Sequence, residues 1–142
     1  MKKLLLLYIL LIVGCVNYQY ISYDGGQFGY RDGQLSDDTF WAEYNIRGGR
    51  FNEKYTLLRC AEITKENDFK YFVVLKKVNL ILDHKVSNWG RRYTFQCYTK
   101  KPSNLDFNAL DNYAVIYEAD MVINNYQYLY NKKEAKKRRL EE

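Results

Sequence analysis

The sequence predicts an α+β fold of two layers, a mostly antiparallel four-stranded sheet with two helices on one face. Three observations predict it. Residues 39–47 set Phe, Ala, Tyr and Ile on one face and, apart from Trp41, polar side chains on the other, the period of a half-buried strand. Residues 57, 60, 61 and 64 are Leu, Cys, Ala and Thr, the spacing of one helix face. Runs rich in aromatic and β-branched residues follow, joined by short loops, before a second helical pattern closes the chain.

In order, the first strand spans 39–47, with Phe40, Ala42, Tyr44 and Ile46 on one face and Trp41, Glu43, Asn45 and Arg47 on the other. Gly48-Gly49 ends it. Asn52 is placed to cap a helix over 52–67, with Glu53 in the first turn, where a negative charge suits the helix dipole. Arg59, Glu62 and Glu66 lie away from its apolar stripe. A second strand covers 69–78, and Leu80-Ile81-Leu82 can extend it towards a loop at Asn88-Trp89-Gly90. Residues 91–99 form a third strand with Tyr93, Phe95 and Cys97 on one face. A loop around Pro102 precedes a short fourth strand at 112–117. Ala119, Val122, Ile123, Tyr126, Leu129 and Tyr130 then have helical spacing, so the last helix runs from about residue 118 into the charged tail. The element order is β-α-β-β-β-α.

The chain divides into four stretches: a leader at 1–14, a flexible tether at 15–37, one domain at 38–131 and a charged tail at 132–142. The 142 residues suffice for one domain, and 47% hydrophobic content suffices for a core. The net charge of +5 belongs to the ends: residues 16–131 carry fourteen basic and fourteen acidic side chains. A nucleic-acid partner needs its basic charge on a folded face, so none is expected. Tyrosine is frequent, at 15 copies, alongside many Asn, Lys and Ile; an AT-rich coding sequence accounts for all four.

Lys2 and Lys3 precede an uncharged apolar run over 4–13. That run is about half the ~20 residues a membrane span requires, and it ends on small Gly14 before Cys15, the plan of a secretory leader. Ile12-Val13-Gly14-Cys15 resembles the bacterial lipobox, which implies cleavage before Cys15 and a lipid on its sulfur. The expected location is the cell envelope, anchored to membrane lipid through Cys15. Val16 after the cysteine favours the outer membrane facing the periplasm over the inner membrane. Export would place Cys60 and Cys97 in an oxidising space. They are candidates for a disulfide and equally for small core residues.

Little else points to chemistry. Arg59 and Glu62, three apart on a helix, are a candidate surface site or an ordinary ion pair. His84, the only histidine, stands beside Asp83 with no nucleophile placed to complete a dyad. Asp37-Asp38 reads as a turn cap, because the oxygen-rich spacing of a calcium loop is missing. Trp41, Trp89, Tyr98 and Tyr113 are candidates for an aromatic patch facing a glycan or protein. The motifs point to no catalytic residue, metal or cofactor.

Residues 28–75 carry four short motifs: Gly29-Tyr30-Arg31, Thr39-Phe40, Leu57-Leu58-Arg59-Cys60-Ala61-Glu62 and Phe69-Lys70-Tyr71-Phe72. Together they resemble a family of small lipoproteins of Gram-negative bacteria whose function is unknown. Tyr117-Glu118-Ala119 followed by Val122 resembles the start of that family's last helix. The chain departs from the pattern at Gly48-Gly49, where Gly-Asn is usual, at Cys60 in place of Ala, and at Asp68 in place of Gly. The resemblance implies an envelope lipoprotein but no substrate. The expectation is a non-enzymatic binding or structural module, with an envelope protein as partner. An envelope enzyme acting on cell wall or lipid is the alternative, and a phage- or plasmid-borne surface lipoprotein is a third.

Overall fold

The computed structural model describes residues 29–47, 52–83, 88–105, 115–131 and 137; the side chains of 46, 47, 52, 81–83, 88 and 89 lie outside the description. The fold is α+β, as the sequence predicts, with an antiparallel sheet and helices on one face. The sheet has five strands rather than four. They are β1 (Gly29–Gln34), β2 (Thr39–Arg47), β3 (Tyr71–Asp83), β4 (Asn88–Tyr98) and β5 (Ile116–Glu118), in the spatial order β1-β2-β4-β3-β5. Helix α1 (Asn52–Glu66) connects β2 to β3, and α2 (Ala119–Tyr126) follows β5 and tightens into a 3-10 turn at Gln127–Tyr130.

The extra strand corrects the tether expected over 15–37. Gly29–Gln34 pairs along β2, from Gly29 opposite Asn45 to Gln34 opposite Phe40. Its two glycines and few apolar residues hide the strand from a propensity reading. Antiparallel pairing needs only backbone groups and a tight turn, and Leu35 and Ser36 supply that turn by donating to the Thr39 carbonyl. The domain therefore reaches back at least to residue 29. The last helix is shorter than expected: α2 ends at Tyr126, and the chain bends at Asn131 after the 3-10 turn.

The core lies between the sheet and α1. Phe40 and Ala42 of β2, Tyr93, Phe95 and Cys97 of β4, and Phe72 and Val74 of β3 face Leu57, Cys60 and Ala61 of α1. The small side chains of Cys60 and Ala61 let the helix approach the aromatic rings. Rings run across four strands: Phe40 stacks on Phe95 at 5.9 Å, Phe95 meets Phe72 edge-on at 5.7 Å, and Phe72 stacks on Tyr117 at 5.0 Å. Such contacts each add about 0.5–1.5 kcal/mol beyond burial. A second cluster joins Tyr44, stacked on Tyr55 at 4.4 Å, with Leu58 and with Leu129 of the 3-10 turn. Burial pushes the Tyr44 hydroxyl well above its ordinary pKa, with Tyr55 adding to the shift.

The end of α1 is a Schellman motif. Phe69 N–H donates to the Thr64 carbonyl at 2.9 Å and Asp68 N–H to that of Lys65 at 3.1 Å. The motif requires a left-handed residue between them, and Asp68 has φ 63°. A Cβ is disfavoured there, and Asp occupies the place where glycine costs least. Asp68→Gly is therefore expected to raise stability by about 0.5–1 kcal/mol, read as a higher urea midpoint at unchanged slope.

Candidate functional site

Charged side chains gather on both faces of the sheet. On the helix face, Arg59 of α1 reaches over β1. Its Nε donates to Asp32 at 2.8 Å, and its Nη1 donates to Glu62 at 3.0 Å and Glu66 at 2.8 Å. The guanidinium also lies 4.7 Å from the Tyr30 ring centre. Burial opposes its charge, but the hydrogen bonds to Asp32, Glu66 and Glu62 outweigh that and hold its pKa above the ordinary value. Glu62 in turn accepts from the Tyr130 hydroxyl at 2.5 Å. The candidate pair Arg59–Glu62 is thus brought together, but as the knot that ties β1, α1 and the 3-10 turn to one another. Its donors and acceptors are directed at each other.

On the opposite face, which no described helix covers, three charges form one cross-strand row. Arg31 stands opposite Glu43, and Glu43 stands opposite Arg92. The Glu43 side chain has 0% exposure, while both arginines keep 40%. Arg92 donates to Oε2 from Nε at 2.8 Å and from Nη2 at 2.6 Å. Arg31 donates to Oε1 from Nε at 2.6 Å and also from Nη2. Each arginine therefore grips its own carboxylate oxygen through the Nε–Nη2 edge. Trp41 fixes the plane of Arg92, whose guanidinium carbon lies 4.5 Å from its ring centre. The indole fits because residue 33 is glycine: a Cβ there would sit 2.5 Å from Trp41 Nε1.

Asn45, two residues along β2, donates to Glu43 Oε1 at 3.4 Å. It is 2% exposed, and its Oδ1 has no hydrogen-bond partner. Gly90 opposite it leaves the space this oxygen occupies, since a Cβ would meet it at 2.1 Å.

Alternation sets Glu43 and Asn45 on the face of β2 opposite Phe40, Ala42 and Tyr44, and the structure keeps them there but buries both. Alternation assigns a side chain to a face; it does not show which residues the neighbouring strands set beside it. The available signal was the basic residue on each of two flanking strands, Arg31 and Arg92, which needs the register to be used.

The remaining candidates fall as follows. Cys60 and Cys97 are free, buried thiols, so the candidate disulfide is not formed. Thr64 stands between them, donating to the Cys60 carbonyl at 2.7 Å with its hydroxyl 3.4 Å from Cys97 Sγ. Burial pushes the Cys60 thiol well above its ordinary pKa and Cys97 up to about 11, which makes both poor nucleophiles at neutral pH. Asp38 caps its turn, accepting from Gln96 at 2.8 Å, Thr39 at 2.9 Å and Ser36 at 3.1 Å. Of the four candidate aromatic residues, Trp41 and Tyr98 share the face that no described helix covers; Tyr113 and the Trp89 side chain lie outside the described residues. So do Ile12, Val13, Gly14 and Cys15, the Asp83 side chain and His84. Among the described residues, no group of three His, Cys, Asp or Glu is placed to hold a metal, and no helix is long and apolar enough to cross a membrane.

Removing Arg92 takes one of two guanidiniums from a fully buried carboxylate, a fraction of the about 3–5 kcal/mol that a stranded buried charge costs, whereas replacing the carboxylate leaves two half-exposed arginines that water can reach. Arg92→Ala is therefore expected to destabilise more than Glu43→Gln, measured by chemical denaturation. Acid should also unfold the domain. The Gln96 hydrogen bond, then that of Thr39, holds Asp38 below its ordinary pKa, and the Tyr93 hydroxyl at 2.7 Å does the same for Glu53. A lowered folded pKa means stability that is present above the unfolded value of about 4 and lost as pH falls through the folded one. The unfolding midpoint should fall below about pH 4, and Tyr93→Phe should flatten that dependence in a pH series of thermal melts.

Comparison with known protein-family models, with curated proteins and with solved structures found no match.

Proposed function

We propose that this protein is a lipid-anchored lipoprotein of the bacterial envelope whose folded domain is a non-enzymatic binding module. The observation that carries the anchor is the order of the N-terminal residues: Lys2-Lys3, the apolar run over 4–13, then Ile12-Val13-Gly14-Cys15. The resemblance of residues 28–75 to small envelope lipoproteins supports the same reading.

The geometry that supports a binding role is the Arg31–Glu43–Arg92 row with Trp41. It lies on the sheet face opposite the helices, and its two guanidiniums remain partly open to solvent. Replacing a buried ion cluster by apolar residues is often neutral or stabilising, so such a cluster is weak as a stability device. Holding two arginines in fixed positions is what it does well. An enzyme reading built on Arg59, Glu62, Asp83 and His84 has less support, because Arg59 and Glu62 are occupied by Asp32, Glu66 and Tyr130.

Metabolic labelling with an alkyne fatty acid, followed by membrane fractionation, tests the anchor. The wild-type chain should be labelled and sediment with membranes, and Cys15→Ser should lose both. A labelled Cys15→Ser variant, or an unlabelled wild type, would end this reading.

A further inference from the structure

We propose that residues 132–142 are a second point of membrane attachment, whose basic side chains contact the headgroups of an anionic lipid surface beside the anchor at Cys15. This names the surface that the domain meets and rests on the envelope reading above. Two observations lead to it, one from the distribution of charge and one from the fold.

The first is where the charge lies. Residues 16–131 carry equal numbers of basic and acidic side chains. Residues 132–142 hold Lys132, Lys133, Lys136, Lys137, Arg138 and Arg139 against Glu134, Glu141 and Glu142. Cleavage before Cys15 would remove Lys2 and Lys3, so the whole positive surplus of the remaining chain belongs to this stretch. A neutral body has little long-range attraction to an anionic surface, whereas a run of basic residues has a strong one. Lys137 is exposed.

The second is where the fold releases that stretch. Tyr30 of β1 packs against the same cluster of Tyr44, Tyr55 and Leu58 that holds Leu129 of the 3-10 turn. The polar contacts beside it join the same two segments. Arg59 lies 4.7 Å from the Tyr30 ring centre and donates to Glu62, which accepts from the Tyr130 hydroxyl at 2.5 Å. Gly29, the first residue of β1, and Asn131, from which the basic stretch departs, therefore belong to one corner of the domain. Gly29 is fourteen residues on from Cys15, a reach of at most about 50 Å. Arg139 is eight residues on from Asn131, a reach of at most about 30 Å. A bilayer that holds Cys15 thus lies close to the corner that releases the basic side chains.

The same corner offers one competing target. Asp32, Glu62 and Glu66 converge on Arg59, and these three carboxylates outnumber the guanidinium they share. Closure of the basic stretch on them would leave it unable to meet a membrane, so the two arrangements predict opposite responses to anionic lipid.

The test measures partitioning of the full chain, by sedimentation, onto phosphatidylcholine vesicles and onto vesicles also holding phosphatidylglycerol. A lipid at Cys15 or an uncleaved leader contributes to both, so the ratio of the two partition coefficients isolates the effect of charge. The wild type is expected to favour the anionic vesicles about tenfold or more at low ionic strength. It should lose that preference near 1 M salt, where the Debye length is about 3 Å. The combined variant Lys136→Gln, Lys137→Gln, Arg138→Gln and Arg139→Gln should lose it at low salt as well. Lys100→Gln with Lys101→Gln should keep it, because those lysines follow the far end of β4. Gly90 lies in the row of Gly29, and Tyr98 is eight residues, or about 26 Å, further along β4. Equal preference in the wild type and the four-glutamine variant overturns the proposal, as closure on the Arg59 carboxylates would produce. So does absence of any preference in the wild type, or an equal loss in both variants. If a variant fails to fold, the salt response of the wild type decides: a ratio that 1 M salt leaves unchanged overturns the proposal. Cys15→Ser should lose the fatty-acid label yet keep the anionic ratio, so failure of the anchor and failure of this second contact are read separately.

Discussion

The fold depends on a ladder of aromatic rings that crosses the sheet beneath α1. Phe40, Phe95, Phe72 and Tyr117 come from β2, β4, β3 and β5, and each touches the next. These contacts bind the three long strands and the short edge strand into one surface. Cys60 and Ala61 then bring the helix backbone close to that surface, because neither side chain is large enough to hold it off. A bulky residue at either position would strain this layer, since packed interiors absorb extra volume poorly. Cys60 is thus explained by its size.

Polar groups finish what apolar packing begins. The helix, the edge strand and the 3-10 turn meet at Arg59, where Asp32, Glu62, Glu66 and Tyr130 converge. Individually, exposed ion pairs contribute little. Here the side chain is only 12% exposed and its partners come from separate elements, so the knot fixes where β1 lies relative to α1. Glu53 acts similarly at the helix start, joining Tyr93, Arg91 and Lys77 across two strands.

The two faces of the sheet divide the work. Apolar burial and the Arg59 knot hold the domain together on the helix face. The opposite face carries a buried carboxylate between two arginines, an orphaned amide oxygen and glycines that make room for neighbouring side chains. That combination is expensive as architecture, because desolvating charges costs more than burying carbon.

The sequence by itself determined the fold class, the span of β2, the buried stripe of α1 and the inward faces of β2 and β4. All of these follow from local periodicity, which records which side of an element meets the core. The order of residues 2–15 that supports the proposed anchor is likewise a linear string, legible without the fold. Tertiary structure alone decided the rest. Gly29–Gln34 is a strand because β2 offers it an edge, while its own composition favours a loop. Arg59 and Glu62 turned from a candidate surface site into a structural knot because Asp32 and Tyr130, distant in sequence, arrive beside them. Glu43 became the centre of a buried charge row only when register set Arg31 on one side and Arg92 on the other. Register couples residues twelve and forty-nine positions apart, and no local pattern in a single chain carries that distance.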